Sequence, residues 1–154
     1  MTGSPPRRST LTPAQRIDRM RARSWVLHIL YAWESQDGAQ PLDQVMESVL
    51  ATRRVAPERE PHIRRHVEVL SRHLDEIDGR LRNAVENWRL ERLSRVDRSV
   101  LRLAAAEILH LPETPAKVAI QEGVRIAGQY GGNDSARFVN GVLDAVFRAR
   151  EAES

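Results

Sequence analysis

The run NDSARFVNGVLDAVFR, residues 133–148, repeats its apolar positions at helical spacing through Ala136, Val139, Val142, Leu143 and Val146. Asn133 stands where a capping side chain is wanted. Phe138 falls about 100° off the centre of that stripe and shares a row with Asp134, Gly141 and Ala145 instead. The same periodicity recurs upstream. Thr12-Pro13-Ala14-Gln15 supplies a cap, a proline at the first helical position and a glutamine three residues after the cap, so a first helix is predicted to run to about Trp33. The loop ESQDGAQP closes it, and a second helix opens at Pro41-Leu42 and carries Val45, Met46, Val49 and Leu50. A third is predicted from near Pro57 through Ile63, Val67 and Leu70. A fourth rests on Leu74, Ile77, Leu81, Val85 and Trp88, with Gly79 inside it.

Ser94-Arg95-Val96-Asp97 reads as a capping box for a fifth helix. Its body, SVLRLAAAEIL, is the most apolar run in the chain, which marks it as central. Leu111-Pro112-Glu113-Thr114-Pro115 stops it and starts a sixth, with Thr114 as cap and Pro115 at the first position. Gly131-Gly132 ends that helix after Tyr130, and the 133–148 run makes a seventh. No segment alternates with period two over the length of a strand, and no repeat is visible. The expected fold is therefore all-α, with about seven helices. Residues 1–12 have the composition of a disordered basic tail, and 13–150 read as one all-helical domain, with N-terminal helices over about 13–88 and C-terminal helices over about 95–148.

Composition narrows the chemistry. The 154 residues are enough for a core that needs no cofactor, and the absence of cysteine removes disulfides, thiolate zinc sites and cysteine nucleophiles together. The polar opening, MTGSPPRRST, is not a secretory signal, and no stretch reaches the ~18 continuous apolar residues of a membrane span, so a cytoplasmic protein without membrane contact is expected. No glycine-rich phosphate loop, nucleophile elbow or dinucleotide fingerprint is present, and no enzyme is expected. His62 and His66 are spaced i, i+4 and His73 follows seven later, but without cysteine or an HExxH pattern the reading is a solvated histidine face, with no metal. Glu107 reads as an acid on the polar edge of the fifth helix, near Arg98 or Arg102.

Charge is more telling. The formal net charge is only +3, yet residues 1–25 hold six arginines against the single acid Asp18. A basic end on a near-neutral body is the footprint of a nucleic-acid binder, because arginine pairs with phosphate and displaces condensed counterions. The stripe Val26, Leu27, Leu30 continues backwards into Arg23, Arg19 and Arg16. Since arginine is rarely found in a core, packing is expected to end near residue 24, with Arg16, Arg19, Arg21 and Arg23 carried into solvent. Tyr31 and Trp33 follow, Trp33 reading as core.

The blocks RARSWVLHILYAWE at 21–34, VDRSVLRLAAAEIL at 96–109, TPAKVAIQEGVRIAGQYG at 114–131 and NDSARFVNGVLDAV at 133–146 closely resemble the NusB family of transcription antitermination factors. The likeness covers roughly residues 19–148, with little of it in 35–75. It implies two small packed helix bundles and a non-enzymatic role: binding the boxA sequence of nascent ribosomal RNA with ribosomal protein NusE, and joining NusA and NusG on RNA polymerase to suppress termination. It also allows a homodimer. Carried onto this chain, the family's RNA-facing positions are the arginine-rich first helix, Tyr31, Asp97 beside Arg98, and the Asp134/Phe138 row. Three positions depart from the pattern: Met20 interrupts the arginine run, Gln121 stands where Asn is frequent, and Gly128 replaces a frequent Lys. Two other readings are weaker. A related helical domain occurs fused to RNA cytosine methyltransferases, but this chain has no catalytic cysteine and could serve only as a detached adapter. A helical DNA-binding protein would want a polar recognition helix.

Overall fold

A computed structural model describes residues 11–85 and 88–153, so the expected disordered tail, Leu11 and Thr12 apart, lies outside the described residues. Among the described residues there are six α-helices and one 3₁₀ turn, with no strand. Helix α1 spans Pro13–Ser35, α2 Leu42–Thr52, α3 Glu60–Ala84, α4 Arg95–His110, α5 Ala116–Tyr130 and α6 Ser135–Ala152, and the 3₁₀ turn Leu90–Arg92 precedes α4. No helix is long and apolar enough to cross a membrane among these residues.

The start of α1 is written locally. Thr12 Oγ1 accepts from the Gln15 backbone N–H at 3.1 Å, and Gln15 Oε1 accepts from the Thr12 N–H at 2.9 Å, a reciprocal pair that satisfies two otherwise orphaned donors. Its end is equally local, since Asp37 and Gly38 take left-handed backbone angles in the turn that follows. Ser94 caps α4 through a bond from the Asp97 N–H at 3.1 Å.

Elsewhere the expected boundaries shift. The third and fourth predicted helices are one helix, α3, because no proline or strong breaker separates them; only His73 leaves helical geometry, at φ −120° and ψ 18°. Trp88 does not continue the stripe of α3. The helix ends at Ala84, and Trp88 stands beyond it, 62% exposed. Thr114 and Asn133 do not cap. Helices α5 and α6 begin at Ala116 and Ser135, after Pro115 and Asp134, without a side-chain cap. At α6 the local bond runs from the Gly132 N–H to Ser135 Oγ instead, at 2.9 Å.

Helix α4 is central, as its composition implies. All ten residues from Ser99 to Ile108 are buried, and the helix packs against α1, α3, α5 and α6. Small residues let its neighbours approach closely. A β-carbon on Gly123 of α5 would come within 2.9 Å of Leu143 of α6 and 3.1 Å of Ala104 of α4. The polar side chains that α4 buries are paired with other helices. Arg102 donates to both carboxylate oxygens of Asp78 on α3, at 2.9 and 3.0 Å, and to Glu34 on α1 at 3.0 Å, and it lies over the ring of Trp33. Glu107 is not on a polar edge: it is 3% exposed and holds Arg23 of α1.

Candidate nucleic-acid interface

The first turns of α4 and α6 meet around a cleft of about 480 Å³ whose walls include Trp88, Arg92, Ser94, Asp97, Asp134 and Phe138. The geometry follows from the helix starts. Asp97 sits three residues after the cap of α4, so its side chain rises beside the helix end. Asp134 immediately precedes α6, and Phe138 stands one turn in. Phe138 is half-buried at the rim of the core, and its ring meets the exposed indole of Trp88 edge to face, with centroids 6.0 Å apart and planes at 67°. Two helix N-termini facing one cleft bring unsatisfied backbone N–H groups and the positive ends of two helix dipoles to the same place. Within it, Asp97 Oδ1 is buried without a hydrogen-bond partner. An orphaned acceptor of this kind favours a ligand that brings a donor.

One residue before Asp97, Val96 lines an adjoining hollow with Ser24, His28, Tyr31 and Tyr130. Tyr31 is 42% exposed and Tyr130 49%. Along α1, Arg21, Ser24, His28 and Tyr31 succeed one another at three- and four-residue steps, so they form one row on its surface. That row leads from an exposed arginine to the hollow, and the hollow leads to the cleft. Exposed aromatic rings stand along this path, Tyr31 and Tyr130 at the hollow and Trp88 at the cleft.

A further cleft of about 510 Å³ separates the start of α1 from α5 and is lined by Arg16, Arg19, Met20, Val118 and Gln121 among others. Arg16 and Arg21 are exposed. Arg19 is partly covered, and its Nε is buried without a partner.

Two residues expected in the interface are held elsewhere. Arg23, expected in solvent, is 7% exposed: its guanidinium donates to Glu107 at 2.7 and 2.9 Å and reaches Glu122 at 3.4 Å. An arginine can enter a core face when a carboxylate from another helix meets it there, and helical spacing along α1 carries no trace of that carboxylate. Arg98 is drawn inward as well. It pairs with Glu34 and donates to the carbonyl oxygens of Leu93, Leu90 and Glu91 at 2.9, 3.2 and 3.3 Å, bracing the 3₁₀ turn against α1.

The histidines do not form one solvated face. His66 is 6% exposed, with Nε2 2.9 Å from the Leu103 carbonyl oxygen and Nδ1 3.9 Å from Glu107. Burial, the dominant influence, pushes its imidazole below the ordinary value against the pull of Glu107. The Nε2–H tautomer therefore donates to Leu103.

Trp88 and Tyr130 escape a reading of periodicity. The spacing of Trp88 from Leu81 and Val85 in the sequence prolongs the apolar pattern and points to the core, whereas the helix itself stops at Ala84. Tyr130 carries a weak signal, since it directly precedes Gly131-Gly132, where a helix ends and an aromatic loses packing neighbours.

Comparison with known proteins bears on the whole chain. A family model described as the NusB family matches residues 20–148. The transcription antitermination protein NusB of Dehalococcoides mccartyi is 40% identical over 131 residues, 85% of this chain and 90% of that one. Its counterpart in Solibacter usitatus is 39% identical over 132 residues, 84% of this chain and 88% of that one. The solved structure of T. maritima NusB superposes with a TM-score of 0.77 at 34% identity, covering 88% of this chain and 97% of that one. A chain from the crystal structure of antitermination factors NusB and NusE in complex with dsRNA superposes with a TM-score of 0.74 at 27% identity, covering 86% and 98%. An all-helical architecture shared at this level, with a sequence match over residues 20–148 that includes the helix starts lining the cleft, means that the chain belongs to the NusB family.

Proposed function

We propose that this protein is a transcription antitermination factor that binds single-stranded, boxA-like RNA through the face running from the start of α1 to the cleft between α4 and α6, and that it does so together with ribosomal protein NusE. The observation that carries the reading is the cleft itself: an exposed Trp88 set edge to face with Phe138, beside the orphaned carboxylate oxygen of Asp97 and between two helix N-termini. Aromatic faces stack unpaired bases, carboxylates accept from base amino and imino groups, and arginines hold the phosphates. Asp97 and Asp134 would repel phosphate directly, so bases, not backbone, belong in the cleft. Phosphates belong along Arg16, Arg19 and Arg21, with Tyr31 and Tyr130 between the two regions. The relative solved with NusE and dsRNA supports RNA and NusE as partner classes.

In the cell the complex would join NusA, NusG and RNA polymerase during ribosomal RNA transcription. A homodimer would be a further state of the free protein. The test is an RNA-binding titration with boxA-containing and scrambled single strands, each with and without NusE. Preference for boxA that strengthens with NusE and weakens steeply with salt is expected. Equal affinity for both strands in the presence of NusE would refute the reading.

A further inference from the structure

We propose that His73, Glu76 and His110 form a surface site for a divalent transition-metal ion, Zn²⁺ foremost, that ties α3 to the end of α4. Glu76 Oε2 lies 3.0 Å from His110 Nε2 and 3.5 Å from His73 Nδ1. The two imidazoles stack with centroids 3.8 Å apart and planes 10° from parallel. One donor atom from each residue lies within 4.8 Å of the others, although the residues come from two helices.

The backbone assembles this set. His73 and Glu76 are one turn apart on α3, and His73 is the residue at which α3 leaves helical angles. His110 is the last residue of α4. The sequence offered His62, His66 and His73 as a candidate trio, and the fold dissolves it by burying His66 against Leu103. In its place the fold supplies a histidine from another helix and a carboxylate.

Two imidazoles and a carboxylate make the donor set of a three-ligand zinc site whose remaining position holds water. All three side chains reach solvent, at 39%, 47% and 20% exposure for His73, Glu76 and His110, so an ion has access and room for that water. An ion binds in the plane of the imidazole it joins. Uptake therefore turns at least one ring out of the stack, and the more exposed His73 is the one free to turn. Among the described residues no guanidinium takes this carboxylate. Arg80 senses Glu76, but its fork is held by Glu153 at 2.6 and 2.5 Å. Thirteen residues along α4 separate His110 from Asp97, about 20 Å at 1.5 Å per residue, so the metal site is distinct from the RNA-facing cleft.

The experiment is calorimetric titration of the untagged protein with Zn²⁺ in a non-chelating buffer, without RNA or NusE, so that its outcome is independent of the RNA-binding reading. One equivalent of Zn²⁺ is expected to bind and to raise the melting temperature. His73→Ala, Glu76→Gln and His110→Ala should each weaken binding by about tenfold or more, while His28→Ala and His62→Ala leave it unchanged. Co²⁺ should give the visible absorption of a low-coordinate site in the parent protein and lose it in the exposed-site variant His73→Ala, whose fold does not depend on that ring. No stoichiometric uptake would overturn the proposal, and so would weakening by His28→Ala or His62→Ala equal to that by His73→Ala.

Discussion

Arg23 donates through Nε and Nη2 to the two carboxylate oxygens of Glu107, at 2.7 and 2.9 Å, joining residues 84 positions apart in the sequence. The pair lies between the first helix and the central one, with both side chains almost wholly covered. Removing one partner leaves an uncompensated buried charge. Arg23→Ala or Glu107→Ala is expected to cost about 3–5 kcal/mol of stability, and an apolar double replacement such as Arg23→Met with Glu107→Leu much less. Urea denaturation of the three variants measures this. Single variants no less stable than Arg21→Ala would show that the pair contributes nothing to the fold.

The two exposed arginines of α1 should behave oppositely. Arg16→Ala with Arg21→Ala is expected to leave the melting temperature within a degree or so of the parent, since neither side chain is buried. RNA affinity should fall, and the slope of log affinity against log salt should shrink by about 1.4, two phosphates' worth for a single strand. An unchanged slope would take these arginines out of the interface.

Trp88 and Phe138 separate stacking from packing. Each alanine variant should lose about 1–3 kcal/mol of RNA binding in the presence of NusE. Trp88→Ala should scarcely change thermal stability because the indole is 62% exposed. Phe138→Ala should cost less than the ~3–5 kcal/mol of a fully buried phenylalanine, its ring being only half-covered. Wild-type RNA affinity in both variants would refute the assignment of the cleft to bases.

Gly123 lies where α4, α5 and α6 approach closely. Gly123→Ala places a methyl group 2.9 Å from Leu143 and 3.1 Å from Ala104, both in the core, so the gain in helix propensity is outweighed by overpacking of about 1–3 kcal/mol. Gly141→Ala, whose new carbon meets nothing within 4 Å, should be neutral or stabilising. Chemical denaturation of the two variants side by side checks the contrast.

His66 gives a pH dependence of known sign. Burial holds its imidazole below the ordinary value in the folded protein, while the unfolded chain titrates near pH 6.5. The unfolded state thus takes up the proton first. Stability is full above about pH 6.5 and declines as pH falls from there towards the depressed folded value, by at most about 1.4 kcal/mol per pH unit. His62 is shifted the same way by burial and by Arg19, and more weakly felt because it is part-exposed. His66→Asn should flatten the decline between about pH 6.5 and 5.5, read from urea midpoints. A slope as steep as the parent's would place the titrating group elsewhere.

The sequence by itself determined the all-helical fold, the centrality of α4 and the starts of α1, α2 and α4, because these depend on spacing within a turn or two. The box at Thr12 and Gln15 closes on itself, Ser94 caps its own helix, and the run that forms α4 is the most apolar in the chain. The basic start and the Asp134/Phe138 row were legible too, the row from helical spacing and the expectation that it faces RNA from a resemblance in sequence. Tertiary structure alone decided which charged residues entered the core. Arg23 is covered because Glu107 arrives from α4 and Arg102 because Asp78 and Glu34 arrive from two other helices, while Arg98 is drawn inward to Glu34 of α1. It also decided that Trp88 leaves its stripe to face Phe138, and that His73 meets His110. Each of these outcomes rests on a partner distant in the chain. The free energy of burying a charge or a ring is set by that partner, and periodicity along one helix holds no record of it.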